Sequence, residues 1–132
     1  MISYSSSETL RIEELAPFFA DWPVPPGRGR QEALLEGSDV IVTARDGSNL
    51  VGLLTAVTDG ALHALITILK VLPSHRHKGI GSELLKRAMA DLGDIYDTTL
   101  ITDAKVAPFY EPHGFRPGFS MNRRNVGAPA DP

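Results

Sequence analysis

The period of the hydrophobic positions changes several times along the chain, and each change marks an element. Ile2 and Tyr4 alternate with polar neighbours over four residues, the pattern of a short edge strand. Between residues 10 and 20, Ile12, Leu15, Phe18 and Phe19 recur at helical spacing. Pro17 falls inside that stretch and either ends the helix or restarts it, because it supplies no N–H. Residues 21–27 then gather three of the ten prolines around Trp22 and predict an ordered loop with a large aromatic side chain. Residues 28–36 predict a second helix, with Ala33, Leu34 and Leu35 as its apolar content and Gly37 just past its end.

The middle of the chain reads as β structure. Residues 40–44 and 50–57 are rich in branched side chains and bracket Asp46-Gly47-Ser48-Asn49, a strong hairpin signal. Asp59-Gly60 marks a second turn. Residues 61–71 follow as a longer, almost continuously apolar run, which predicts a strand buried on both faces. Three strands joined by tight turns make an antiparallel meander. In residues 79–92, Ile80, Leu84, Leu85, Ala88 and Leu92 form one helical stripe, and Gly93 stops it. Residues 97–102 predict another strand, parallel to the run at 61–71 because a helix connects the two. A short helix at 105–111 leads to Gly114, and residues 115–124 offer one or two final strands. The expected architecture is one α/β domain over residues 1–124, a mixed sheet of six to seven strands with four helices, and a frayed tail at 125–132.

Composition narrows the class. The 132 residues suit one domain, and 42% hydrophobic with 22% charged residues is the balance of a globular chain. Without cysteine the chain has no disulfide framework and no thiolate nucleophile. The N-terminus lacks the basic and apolar pattern of a signal peptide, and no run approaches the ~18 apolar residues of a membrane span. The expected location is the cytoplasm. The formal charge of −3 provides no global attraction to nucleic acid or anionic lipid, so neither is an expected partner. The charge is unevenly placed, however. Residues 70–87 carry a net +4, from Lys70, Arg76, Lys78, Lys86 and Arg87 against Glu83, and the remainder carries −7. A basic patch on an acidic body suits an anionic ligand in one place and a cationic one in another; by charge alone it is also an ordinary solvated helix face.

The segment from Val71 to Leu85 concentrates the chemistry. It runs from a strand end through a basic turn holding Arg76, His77, Lys78, Gly79 and Gly81 into the first turn of an amphipathic helix. Free N–H groups at a helix start, the positive end of the macrodipole, and glycines without Cβ atoms form a site for a pyrophosphate. The spacing is neither that of a Walker loop nor that of a dinucleotide fold.

The run Val71-x-Pro73-x-x-Arg76-x-x-Gly79-x-Gly81-x-x-Leu84-Leu85 resembles the acetyl-CoA motif of the GNAT superfamily of N-acetyltransferases. Downstream, Phe109-Tyr110-x-x-x-Gly114-Phe115 looks like that family's second element, and the meander before both matches its first strands. The resemblance implies acetyl-CoA as acyl donor, with no metal, and direct attack by an acceptor amine without a covalent enzyme intermediate. It implies that backbone groups of Ile68, Leu69, Lys70 and Val71 meet the pantetheine amides on a strand that splays from its parallel neighbour. Arg76, His77, Lys78, Gly79, Ile80, Gly81 and Ser82 would hold the pyrophosphate, and Phe109 and Tyr110 would lie beside the cofactor.

Tyr110 is the candidate general acid for the departing thiolate, a phenol with an ordinary pKa near 10; its alternative role is to pack the last helix onto the sheet. The base is unassigned. His63 is the one conventional base on its strand, and Asp103 stands where relatives often carry Asn, so it positions the cofactor, binds a cation or accepts a proton. Asp21 and Trp22, with Phe18 and Phe19, fall where this fold builds its acceptor pocket, and a carboxylate beside an aromatic suits an amine. An aromatic clamp on the prolines is the other use of Trp22. Tyr4 and Phe119 are further candidates for its walls. His75 and His77 are expected to flank the phosphate loop rather than to bind metal.

The expected function is acetyl transfer from acetyl-CoA to a primary amine. A small cationic amine is favoured by the acidic remainder of the chain, and a peptide amine is the alternative. The chain is short for the family, which makes a second copy, and hence a homodimer, a candidate source of further walls. Two rivals come from other classes. A CoA-binding sensor of the same fold would leave Tyr110 dispensable. An RNA-binding module would need a wider cationic face and stacking aromatics, which are not visible in the sequence.

Overall fold

The computed structural model describes residues 1–127. Five strands form one sheet in the order β1 (Ile2–Ser5), β2 (Val40–Asp46), β3 (Asn49–Thr58), β4 (His63–Val71) and β5 (Asp97–Thr99). The first four are antiparallel neighbours, and β5 joins β4 in parallel. The helices are α1 (Arg28–Gly37), α2 (Ile80–Leu92) and the single turn α3 (Ala107–Tyr110). The hairpin between β2 and β3 closes on Gly47, whose φ of 61° is the left-handed conformation that glycine adopts without strain. The crossover from β4 through α2 to β5 makes the expected parallel pair.

The sheet is covered on both faces. One face packs on α2, through Val42, Leu54 and Ile66 against Ile80, Leu84 and Leu85. Full burial of each leucine contributes on the order of 2 kcal/mol. Gly52 lets the helix come this close: a Cβ there would stand 3.0 Å from Leu84 Cδ1 and 3.1 Å from Ile80 Cγ2. The other face packs Leu50 and Leu53 against Leu15, Phe18 and Phe19.

Several elements differ from the sequence expectation. Residues 10–20 form two 3₁₀ turns, Ile12–Glu14 and Ala16–Phe19, instead of one α-helix. Pro17 restarts the chain at the head of the second turn, and the expected apolar residues still reach the core. Gly37 is the last helical residue of α1, not the residue beyond it, and Ser38 closes the helix with its N–H and hydroxyl donated to Leu34 O. β4 is not buried on both faces: His63, Leu65 and Thr67 are exposed and alternate with buried Ala64 and Ile66. The strand with both faces covered is β3, buried from Leu50 to Ala56. β5 stops at Thr99, three residues earlier than expected.

No strand forms in residues 115–124, where Pro117 and Gly118 interrupt any ladder, so the described residues hold five strands and three α-helices, fewer than expected. Of the expected tail, residues 128–132 lie outside the described residues. Among the described residues no helix is long and apolar enough to cross a membrane.

Candidate active site

β4 and β5 pair at only three positions, His63↔Asp97, Ala64↔Thr98 and Leu65↔Thr99. The divergence begins at a bulge. On the β3 side, Ile66 pairs with Ala56 and Ile68 with Thr55, which leaves Thr67 as an extra residue in β4. Its hydroxyl donates to Thr55 O at 3.0 Å and lies 2.7 Å from Thr55 Oγ1, so the bulge is pinned. Beyond Leu65 and Thr99 a groove of about 530 Å³ opens between residues 66–70 and residues 100–103. Phe18, Phe19, Asp21 and Trp22 line one side of it, and Val106, Tyr110 and Arg124 also reach it. Among the described residues, the edge of β4 facing this groove has no strand partner for its backbone N–H and C=O groups.

At its far end β4 leads into the glycine turn. Leu72 N–H donates to Val51 O, Pro73–His75 make one 3₁₀ turn, and the chain then reverses through two left-handed residues, His77 at φ 64° and Gly79 at φ 81°. Gly79 is the N-cap of α2, and among the described residues no side chain caps that end. The first N–H groups of the helix are therefore open to an anion.

The two glycines act differently. Open space surrounds the position of a Cβ on Gly79, so its role is conformational. A Cβ on Gly81 would meet Phe109 Cζ at 3.2 Å. Gly81 thus makes room for Phe109, a packing role beside the one expected from its place in the turn. Ser82 Oγ lies 3.1 Å from His113 Nε2, a second tie between α2 and the turn after α3.

Of the basic residues in the turn, Arg76 donates from Nε to Val71 O at 3.1 Å. His75 is an anchor: its Nε2 lies 2.8 Å from Asp46 Oδ2 and its Nδ1 2.7 Å from Ser74 Oγ. That bond ties the turn to the end of β2 and holds the Asp46 carboxyl below its ordinary value. Among the described residues no group of three or more His, Asp or Glu side chains is placed to hold a metal ion.

Tyr110 lies partly buried at the groove, its ring edge-on to Phe109 and Phe115 at centroid distances of 5.0 and 5.9 Å. Burial pushes its phenol pKa up from 10. Asp103 lines the groove, and its backbone carbonyl accepts the N–H groups of Val106 and Ala107. His63 does not line the groove. It stands exposed at the start of β4 with Nδ1 3.7 Å from Asp59 Oδ2, and the structure does not bring it to Tyr110 or Asp103.

Asp21 and Trp22 do reach the groove, but the carboxylate is already engaged. Lys70 Nζ donates to Asp21 Oδ1 at 2.7 Å, and this bond holds the Asp21 carboxyl below its ordinary value. Trp22 sets its ring edge-on to Phe19 at 5.2 Å. Neither Tyr4 nor Phe119 lines the groove: Tyr4 lies under the Arg87 guanidinium at 4.7 Å, and Phe119 is 95% exposed. Arg124, in the C-terminal segment, reaches the groove without having been singled out in the sequence. No local pattern marks it, because its position depends on where that segment folds back.

The acetyltransferase (GNAT) domain family matches residues 36–117, well over half of the chain. Among solved structures, a protein provisionally assigned as an acetyltransferase from Deinococcus radiodurans R1 is 34% identical with a TM-score of 0.89, covering 99% of this chain and 94% of its own. A GNAT-family acetyltransferase from Streptococcus pneumoniae TIGR4 is 30% identical with a TM-score of 0.79, over 95% of this chain and all of its own. The fold is shared with AAC(6')-Iy, solved in complex with the bisubstrate analog CoA-S-monomethyl-acetylneamine, at 15% identity and a TM-score of 0.74 over 95% of this chain and 98% of that one.

Proposed function

This chain belongs to the GNAT acetyltransferase family, and from that premise we propose that it transfers the acetyl group of acetyl-CoA to a primary amine by direct attack. The observation that carries the reading is the parting of β4 from β5 after Leu65 and Thr99, on the same strand that runs into the uncapped start of α2. A pantetheine arm is extended and carries two amides, and it needs a strand edge with free donors and acceptors. Residues 66–70 provide that edge. A diphosphate needs convergent N–H groups and cations, which residues 76–82 provide.

Bound acetyl-CoA supplies an activated thioester carbonyl. The chain's own residues do the rest. Phe18, Phe19 and Trp22 wall the groove on the acceptor side. Of the two candidates for receiving the amine's proton, Asp103 lines the groove and takes that role; His63 stands outside the groove. Tyr110 holds a proton for the departing sulfur. Its burial keeps the phenol protonated throughout the neutral range, as a general acid requires. The ammonium first gives one proton to Asp103, which exposes the nitrogen lone pair. As the nitrogen–carbon bond forms and the carbon–sulfur bond breaks, the phenol proton goes to sulfur, and the second nitrogen proton restores the phenol. The amide and the CoA thiol thus leave neutral, and one proton passes through Asp103 to water.

Calorimetric titration with acetyl-CoA, CoA and ATP, followed by a thiol-release screen of amines, tests the reading. Both CoA species should bind tightly and ATP weakly, and an amine should release thiol. Binding without turnover over a broad amine panel would leave a CoA-binding sensor. No binding by folded protein would remove the reading.

A further inference from the structure

We propose that the acceptor is a zwitterion, a primary amine that also carries an acid group, with its ammonium received by Asp103 and its acid group by Arg124. The inference rests on the acetyl-transfer reading above and names the substrate class of the same groove.

Among the described residues, four charged side chains line the groove: Asp21, Lys70, Asp103 and Arg124. Two of them satisfy each other. The Lys70–Asp21 bond of 2.7 Å joins two elements 49 residues apart, and the Asp21 carboxylate is held ionised well below neutral pH. That pair is part of the wall and leaves no free anion on the Trp22 side for an incoming cation. One charge of each sign remains. Among the described residues, neither the Asp103 carboxylate nor the Arg124 guanidinium has a hydrogen bond or ion pair.

The chain's net charge of −3 therefore does not describe its groove, where the charges balance. This refines the expectation, drawn from the acidic remainder of the sequence, that a small cationic amine is favoured over an anionic one. A simple alkylammonium would satisfy Asp103 but share the groove with an uncompensated guanidinium, which lowers its affinity by like-charge repulsion. A ligand with one charge of each sign completes both. A planar guanidinium with its forked donors is also the side chain best shaped to hold a carboxylate in two hydrogen bonds. Both side chains are exposed, so each pairing occurs next to water and is screened. The expected discrimination is correspondingly moderate, about tenfold, or ~1.4 kcal/mol.

The test compares matched acceptors. Small amino acids are assayed at saturating acetyl-CoA as free acids and as their carboxamides, which keep the amine and lose the negative charge. The best free acid should exceed its amide by about tenfold in kcat/KM, with the difference in KM. Arg124→Gln should abolish that ratio by raising KM for the acid, while its calorimetric affinity for acetyl-CoA stays at the wild-type value. Titration of acid and amide into the CoA-bound protein provides the same comparison without turnover. Equal use of acid and amide, preference for the amide, or a ratio that survives Arg124→Gln overturns the zwitterion and leaves acetyl transfer standing. Binding of acetyl-CoA with no thiol release from any amine overturns both.

Discussion

Phe109 Cζ stands 3.2 Å from the point that a Cβ on Gly81 would occupy, whereas nothing lies within 4 Å of the corresponding point on Gly79. Two glycines separated by a single residue in a phosphate-type turn therefore answer to different demands, and substitution separates them. Gly79→Ala meets no clash but forces φ of 81° on an L-residue, at a cost of about 1–2 kcal/mol. Gly81→Ala asks the Phe109 ring to give by a few tenths of an ångström. Gly81→Glu displaces the ring and puts a negative charge at the first turn of α2. Urea denaturation should show a lower midpoint for Gly79→Ala, and calorimetry should show acetyl-CoA binding lost in Gly81→Glu. Unchanged acetyl-CoA affinity in Gly81→Glu would refute the assignment of the turn.

Tyr110→Phe removes a proton and almost no area. It should lower kcat by roughly 10²-fold with little change in acetyl-CoA affinity, the pattern of an interaction made in the transition state. Because burial raises the phenol pKa above 10, the wild-type kcat should show no alkaline limb assignable to this group below about pH 10. Full activity in the variant would return Tyr110 to a packing role between Phe109 and Phe115.

His75 and Asp46 act as one anchor for the turn, through the bond of 2.8 Å between Nε2 and Oδ2. His75→Ala and Asp46→Ala should each weaken acetyl-CoA binding several-fold, and the double variant should be no weaker than either single one, because the second change has nothing left to remove. The Asp46 carboxyl lies below its ordinary value in the folded protein, so its share of the anchor is present at neutral pH and lost as pH falls through the carboxylate range. Strictly additive losses in the double variant would show that the two residues act separately.

What the sequence revealed was local. The β2–β3 hairpin follows from Gly47 between two branched runs, and the α2 stripe and its glycine stops follow from period and composition. The turn at 76–82 was readable because its chemistry is contiguous. The parting of the strands was expected only from the family resemblance. Its cause, a single extra residue at Thr67, leaves no mark in composition. Pairings between distant segments were equally invisible. Nothing near Asp21 indicates that Lys70 neutralises it, and nothing near Arg124 indicates that residues 115–124, lacking a strand, bring it to the groove. His63 has the chemistry of a base and lies on the right strand, but its position at the start of β4 keeps it out of the groove.

The N-terminal segment is held to the sheet by charge, which makes its contribution measurable with pH. Arg45 donates from Nε to Glu8 Oε1 at 2.7 Å, from one terminal nitrogen to Glu14 Oε1 at 2.7 Å, and from the other to Glu14 Oε2 at 3.0 Å. Thr43 Oγ1 donates to the second oxygen of Glu8. The Glu14 side chain is only 10% exposed, and the Arg45 hydrogen bond holds its pKa down to about 2 from an ordinary 4.5, against the opposing effect of burial. A carboxyl depressed in the folded state stabilises fully above its unfolded value and loses that contribution as pH falls through its folded value. For Glu14 the window runs from about 4.5 down to about 2, and the difference corresponds to on the order of 3 kcal/mol. Glu14→Gln keeps the shape and removes the charge. Urea denaturation at a series of pH values should show the variant less stable than wild type by a near-constant amount above pH 5, with the gap narrowing steadily toward pH 2. A gap independent of pH would mean that Glu14 stabilises by packing and neutral hydrogen bonds alone. Asp59, whose carboxyl is also held at about 2, titrates in both proteins and cancels from the comparison.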